Sequence, residues 1–155
     1  MQIDILTSGQ MRDAHQKSLF DEYMGRMKWP VTVQEFVVPV SKKHSVDQIK
    51  VLEREEYLKR LKDDCYLILL DENGKDMSSE ALAGHIERLR DIEGRSKIQI
   101  AIGGAGGFHA DILRKADLTL SFGRQTWPHM LVRIMLIEQI YRVQQILAGH
   151  PYHRS

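Results

Sequence analysis

The chain carries the segment KIQIAIGGAGGF at residues 97–108, and this segment decides the fold. Lys97 to Ile102 has the composition of a strand, and four glycines follow it within five positions. Glycines placed directly after a strand leave backbone N–H groups uncovered and permit close approach of a ligand. The pattern therefore indicates either a ligand-binding loop or a plain tight turn from a strand into a helix.

Outward from this segment, strands and helices alternate along the chain, with no visible repeat or linker. This alternation predicts an α/β fold with a mainly parallel sheet and helices on both faces. Residues 71–74 are predicted to form a turn, and the many charges of residues 50–62 predict a solvated helix face. The predicted strands are residues 2–8, 31–38, 66–70, 97–102 and 117–122, and the predicted helices are residues 11–27, 45–61, 78–92, 109–115 and 130–147.

The composition is that of an ordinary globular domain. The 155 residues are 43% hydrophobic and 28% charged, so we expect a single domain over residues 1–155. No apolar run approaches the roughly 20 residues that span a bilayer, and no signal peptide is visible, so we expect no membrane association. The single cysteine, Cys65, cannot form an intramolecular disulfide, which favours the cytoplasm.

The net charge of +1 argues neither for nor against binding of nucleic acid. Any basic surface must be local, or must be assembled from more than one copy of the chain. The charge balance therefore leaves the class of partner open.

A second ligand-binding candidate is the loop at residues 123–129, which follows the predicted strand 117–122. Pro128 within it suits the start of a helix, where the missing N–H costs little. Because ligands bind at the carboxyl ends of parallel strands, we expect this loop and the glycines to share one site. The glycine spacing matches neither a dinucleotide fingerprint nor a phosphate-binding P-loop, which argues against a dehydrogenase, kinase or GTPase.

The last predicted helix is unusually apolar, with twelve apolar residues among residues 130–147. Such a helix is either deeply internal or also meets a second copy of the chain, and we favour a homodimer. His150 and His153 follow it, but no third ligand is suggested nearby, so no metal site is predicted. No serine lies on a recognisable nucleophile elbow, so a hydrolase is not indicated.

Four segments together resemble the RlmH family, and the similarity extends over the whole chain. They are IGGAGGF at 102–108, WPHMLVR at 127–133, EQIYR at 138–142 and HPYHR at 150–154. The resemblance implies a SPOUT-type methyltransferase whose C-terminal part is threaded into a trefoil knot. It implies S-adenosylmethionine (S-adenosyl-L-methionine) as cofactor and N3 of a pseudouridine in 23S ribosomal RNA as target, within the ribosome. It also implies a homodimer in which the partner chain completes each cofactor cleft.

The resemblance assigns candidate residues to the site. Among the catalytic candidates, His129 and His153 suit handling of the N3 proton, Arg154 suits stabilisation of an anion, and Tyr152 suits stacking on a flipped base. The general base is left unassigned, and for Tyr152 a role in dimer packing is equally open. The cofactor would lie against Leu70, Gly103, Gly104, Phe122, Gly123, Arg124, Gln125, Thr126 and Trp127.

Two other functions stay open at the level of the sequence. One is a SPOUT methyltransferase that acts on transfer RNA. The other is a non-catalytic protein that binds RNA or the ribosome with the same fold. Binding of S-adenosylmethionine separates the second from both enzymes.

Overall fold

Five parallel strands form one sheet in the computed structural model, which describes residues 1–154. All pairings between neighbouring strands are parallel, so the carboxyl ends of the strands lie at one edge. The strands are β1 (Gln2–Ser8), β2 (Val31–Phe36), β3 (Tyr66–Asp76), β4 (Lys97–Ile102) and β5 (Leu118–Ser121), in the spatial order β2-β1-β4-β3-β5. The helices are α1 (Ala14–Arg26), α2 (Val46–Arg60), α3 (Ser79–Asp91), α4 (Ala110–Leu113) and α5 (His129–Leu147).

Successive strand residues enter two hydrophobic cores on opposite faces of the sheet. Ile100 packs in a cluster with residues of α1, α3 and α5. Its neighbour Ala101 packs in a second cluster with Tyr57 of α2 and Ile112 of α4. Burial on both faces explains the continuous apolar runs in β3 and β4. The prediction of an α/β fold with helices on both faces is therefore confirmed.

The apolar residues of α5 are largely buried by contacts within the chain itself. Ile137, Ile140 and Val143 are no more than 3% exposed. Gln144 is also buried, and its side-chain oxygen accepts the backbone N–H groups of Lys28 and Trp29 at 2.8 and 2.9 Å. The internal interpretation of this helix is thus confirmed, while its contact with a second copy stays a prediction.

β3 is longer than predicted, because the segment expected to be a turn lies within it. Leu120 of β5 pairs with Leu70 and again with Lys75, so the register shifts between these two partners. A Cβ atom on Gly74 would lie 2.7 and 2.8 Å from backbone atoms of Leu120, and 2.8 Å from the carbonyl carbon of Thr119. The turn prediction was wrong because this glycine serves a close approach of two backbones rather than a reversal of the chain.

The helices begin where side chains can cap them. Asp13 accepts the N–H groups of His15 and Gln16 at 3.0 and 2.9 Å, which starts α1 three residues later than predicted. Ser45 and Gln48 form a reciprocal capping box at the start of α2. The other ends of the helices and strands agree with the prediction to within two residues, apart from the end of β3.

The threading of the chain is a separate question from the strand order. Order and pairing describe the sheet and not the path of α5 through neighbouring loops, so the trefoil knot stays a prediction. The assignment of residues 1–155 to one domain also stays a prediction, although both cores share one sheet.

Two glycine-to-alanine substitutions test the close approach at Gly74. Gly74→Ala should lower the free energy of unfolding by about 1–3 kcal/mol, because the new methyl group overlaps the β5 backbone. Gly84→Ala in α3 should raise it by about 0.5–1 kcal/mol, since nothing lies within 4 Å and alanine favours a helix. Urea unfolding measures both values. Equal effects of the two substitutions would contradict the close approach.

Candidate functional site

The carboxyl ends of β3, β4 and β5 enclose a cleft of about 660 Å³. Its walls come from residues 103–107 after β4, residues 71–73 within β3, and the segment after β5 that begins at Phe122. Lys50 of α2 and His129 at the start of α5 add polar groups. The volume lies in the range of about 300–1,000 Å³ that is typical of small-molecule sites.

The two loops expected to share one sheet edge do so. The predicted cofactor residue that differs is Arg124, which is exposed and does not line the cleft. The others all line it, namely Leu70, Gly103, Gly104, Phe122, Gly123, Gln125, Thr126 and Trp127. The geometry therefore groups most of the residues that the resemblance selected.

Residues 103–107, called the glycine loop below, form a tight turn closed by its own backbone. The N–H of Gly107 donates to the carbonyl oxygen of Gly104 at 2.9 Å. Gly107 has a φ of 76°, and a Cβ atom on Gly103 would lie 3.2 Å from the carbonyl carbon of Gly107. Side chains at these positions would strain the turn, so the glycines keep backbone surface open toward the cleft.

Glu53 of α2 lies against the glycine loop and is only 6% exposed. Its carboxylate accepts the Ser8 hydroxyl at 2.8 Å and lies against the backbone of Gly104. Burial raises the pKa of Glu53, against the smaller opposing effects of the Ser8 hydroxyl and the Gly104 backbone. The prediction of a solvated face for residues 50–62 was wrong here, because charge density alone does not reveal which acidic residue points inward.

Tyr57, one turn further along α2, anchors the end of β4. Its hydroxyl donates to the carbonyl oxygen of Ile102 at 2.6 Å, and the residue is 1% exposed. Its ring packs edge-on against Phe36 and also contacts Phe108, with centroids 4.8 and 5.3 Å apart. Burial raises the pKa of Tyr57, so the hydroxyl keeps its proton and its role as donor. The sequence predicted only an apolar position here, and it carried no signal for the hydrogen bond.

Arg133 of α5 is a buried cation at the end of β1. Its guanidinium donates to the carbonyl oxygens of Ser8 and Gly9 at 2.6 and 3.0 Å, and it pairs with Glu35 at 2.9 Å. The side chain is 2% exposed. Ser8 is thus shared, since its hydroxyl binds Glu53 and its carbonyl binds Arg133. This set of contacts links α5, β1 and α2 to the glycine loop.

His129 lines the cleft one helical turn before Arg133. Burial lowers the pKa of His129, and the nearby charge of Arg133 lowers it further. A neutral imidazole accepts a proton, so His129 is the one catalytic candidate of the predicted set that the described residues place in this chain's own cleft.

The segment after β5 is held by short-range contacts. The hydroxyl of Ser121 donates to the carbonyl oxygen of Gly123 at 2.8 Å. Thr126 donates to the carboxylate of Glu72 at 3.0 Å, across the cleft mouth. Trp127 is 40% exposed at the cleft, which leaves an aromatic surface available to a ligand.

The C-terminal candidates lie elsewhere in this chain, on the face of α3 and α5. The Tyr152 hydroxyl donates to Glu138 at 3.1 Å, and its ring packs edge-on against Tyr141 with centroids 4.7 Å apart. His153 lies 2.7 Å from a carboxylate oxygen of Glu80. None of residues 152–154 lines the cleft, and Arg154 is exposed. One chain therefore does not bring the tail and the cleft together.

Residues 1–154 contain no cluster of three or more His, Cys, Asp or Glu side chains arranged to hold a metal ion. In the same residues, no helix combines the length and apolarity needed to cross a bilayer.

The sequence was compared with known protein families and curated proteins. Residues 1–153 match the family described as predicted SPOUT methyltransferase. The chain is 44% identical over 155 residues to a protein of Rhodospirillum centenum, and 43% identical over 162 residues to one of Mesorhizobium japonicum. Both are named ribosomal RNA large subunit methyltransferase H, and both matches cover all of each chain.

Among solved structures, the fold resembles a probable methylase family protein from Haemophilus influenzae Rd KW20. The TM-score is 0.51 at 13% sequence identity, over 95% of this chain and 66% of the other. At this identity the likeness concerns the fold alone.

The lowered pKa of His129 predicts a pH dependence of stability. The unfolded chain takes up this proton near the ordinary value of 6.5, and the folded chain takes it up only at lower pH. Between the two values the unfolded state binds more protons, so stability falls as the pH drops through 6.5. His129→Gln removes this contribution and should lose less stability than the unmodified chain between about pH 7.5 and 5.5. Urea unfolding at both pH values measures it, and parallel losses would contradict the assignment.

Proposed function

The chain belongs to the SPOUT methyltransferase family, and we propose that it methylates N3 of a pseudouridine in the 23S ribosomal RNA of the large subunit. As a member of this family it is a methyltransferase that uses a methyl donor. The observation that carries the proposal is the cleft, where the glycine loop and the segment after β5 meet. The names of its full-length relatives support the large-subunit target.

S-adenosylmethionine is the proposed methyl donor, and the residues of the cleft fit it. Leu70, Leu120 and Phe122 offer apolar surface for an adenine ring. The carboxylates of Asp71 and Glu72 suit the positively charged groups of this cofactor. The glycine loop provides backbone groups without side-chain obstruction. When bound, the cofactor supplies an electrophilic methyl group.

The protein must then align the nucleophile, exclude water and manage the N3 proton. His129 lines the cleft, and its lowered pKa keeps the imidazole neutral, so we assign it the role of proton acceptor. Arg154 stays protonated and suits an RNA phosphate or a developing anion. Tyr152 and His153 join Arg154 on the tail, which this chain holds against α3 and α5.

A homodimer would unite the tail with the cleft. A groove of about 550 Å³ runs between α1, α3 and α5, and it is lined by Met135 and Glu138 among others. Phe122 and Gly123 line both this groove and the cleft, so the two are adjacent. Glu138 also holds Tyr152. A second copy seated on this groove would therefore place its tail near the cleft of the first, and a two-fold axis would make both sites equivalent.

The target and the compartment follow from the same proposal. Ribosomal RNA is reached in the cytoplasm, where the single cysteine is also expected to stay reduced. Mass mapping of ribosomal RNA and transfer RNA from cells that lack the gene tests the target. We expect loss of one N3-methylated pseudouridine from 23S ribosomal RNA. Loss of a transfer RNA modification would contradict the proposal, and so would unchanged RNA.

Gly103→Val tests the cofactor site. The new side chain would press on the backbone of Gly107 and change the shape of the glycine loop. We expect affinity for S-adenosylmethionine to fall at least tenfold, about 1.4 kcal/mol. Calorimetric titration measures the affinity. Gly84→Ala in α3 serves as the control, because nothing lies within 4 Å of the added methyl group. Unchanged affinity in folded Gly103→Val would count against this site.

The tail has its own test, because it does not line the cleft of the same chain. Removal of residues 152–155 should leave affinity for S-adenosylmethionine nearly unchanged and abolish methylation of the RNA. Arg154→Ala alone should lower the rate at least tenfold, about 1.4 kcal/mol of transition-state stabilisation. Single-turnover methylation of ribosomes that lack the modification measures the rate. A truncated protein that works at the full rate would reduce the tail to a packing element.

A further inference from the structure

We propose that Glu53 is a positioning residue for the methyl-donor site, because it fixes the glycine loop through the backbone of Gly104. The inference rests on the proposed function, since it concerns the same cleft. Glu53 does not itself line the cleft, whereas Gly104 does. Any effect of Glu53 on the cofactor must therefore pass through the shape of the loop.

The contact between Glu53 and Gly104 is direct and leaves no spare room. The carboxylate of Glu53 lies directly against the backbone of Gly104, which lowers the pKa of the acid against the larger effect of burial. A Cβ atom on Gly104 would overlap that carboxylate, with Oε2 only 2.8 Å away. The glycine is thus required by the acid beneath it, and the acid in turn presents a carboxylate oxygen to the backbone of Gly104.

The carboxylate is also held from a second side. Ser8 at the end of β1 donates its hydroxyl to Glu53 at 2.8 Å. The carbonyl oxygen of Ser8 accepts the guanidinium of Arg133 at 2.6 Å. Thus β1 holds the acid directly, α5 holds the end of β1, and the acid packs against one glycine of the cleft wall.

Stability alone gives a poor reason for an acid at this position. Glu53 is 6% exposed, and within residues 1–154 no Lys, Arg or His nitrogen lies within 4.0 Å of its carboxylate. Tyr57 faces it from its own helix, and Arg133 of α5 reaches it only through the backbone of Ser8. A buried carboxylate without a cation partner costs free energy, and an apolar side chain would pack there without that cost. The arrangement is explained if the glycine loop needs a fixed polar group against the backbone of Gly104.

Four variants test the proposal. Glu53→Leu removes the acceptor and keeps the volume. Glu53→Gln keeps an oxygen for Gly104 and can donate its amide to the Ser8 hydroxyl. Ser8→Ala removes the second support, and Glu55→Gln is the matched control, since Glu55 is an exposed acid on the same helix.

Three measurements are made on each folded, cofactor-free protein. Amide hydrogen exchange reports the Gly104 N–H directly, without any cofactor. Calorimetry gives the affinity for S-adenosylmethionine and for S-adenosylhomocysteine, which lacks the sulfonium charge. Thermal unfolding gives the stability.

A positioning role predicts a specific pattern. In Glu53→Leu, exchange at Gly104 should accelerate at least tenfold and both ligands should bind at least tenfold more weakly, while the unfolding temperature does not fall. Glu53→Gln and Glu55→Gln should stay within about threefold of the unmodified chain in both affinities. In Ser8→Ala, the exchange rate at Gly104 and both ligand affinities should lie between those of Glu53→Leu and those of Glu53→Gln.

Other results would overturn the inference. Normal ligand affinity in Glu53→Leu would remove the link to the site. Selective loss of S-adenosylmethionine but not of S-adenosylhomocysteine in Glu53→Gln would show attraction by charge instead of positioning. Should Glu53→Leu fail to fold, Ser8→Ala decides, since unchanged exchange and affinity there would refute the proposal. If the unmodified protein binds neither ligand, the proposed function fails, and the exchange data still judge the contact between Glu53 and Gly104.

Discussion

The buried guanidinium of Arg133 is the interaction on which the site depends. It binds the last carbonyl groups of β1 and pairs with Glu35, so it fixes the start of α5 relative to the sheet. The hydroxyl of Ser8 donates to Glu53, and Glu53 lies against Gly104 of the glycine loop. Loss of Glu35 would leave the buried guanidinium without its carboxylate partner, which destabilises the fold. The contact that shapes the cleft therefore also belongs to the core of the fold.

Much of this architecture could be predicted from the sequence, because it depends on local patterns. Alternating strand and helix signals indicate the parallel sheet, and loops after strands indicate the edge where a ligand binds. Contacts between distant residues left no such signal. Glu53 looked like one more charge on a solvated helix, and Gly74 looked like part of a turn. In both cases the partner that matters is remote in sequence, at Ser8 and at Leu120.

The candidate catalytic residues also divide into those placed by local sequence and those placed by contacts with distant residues. His129 is placed in the cleft by the start of α5, directly after a predicted ligand loop, so its position follows from local sequence. The tail is placed by contacts with Glu80 and Glu138, which belong to two different helices. Sequence motifs can name the tail residues but cannot state which chain's cleft they serve. In the proposed dimer, that assignment depends on how the two copies assemble.

The close approach at Gly74 has a consequence for the order of folding. Lys75 and Asp76 pair with Leu120 and Ser121, so this part of β3 has no partner until β5 is in place. During synthesis the ribosome delivers β3 first and β5 much later, and non-local pairings pay their loop-closure entropy before they gain any contact. Residues 71–73 lie in the same part of β3, so this wall of the cleft is expected to form only once β5 is in place. A nascent chain would therefore lack a complete cleft until β5 has been synthesised.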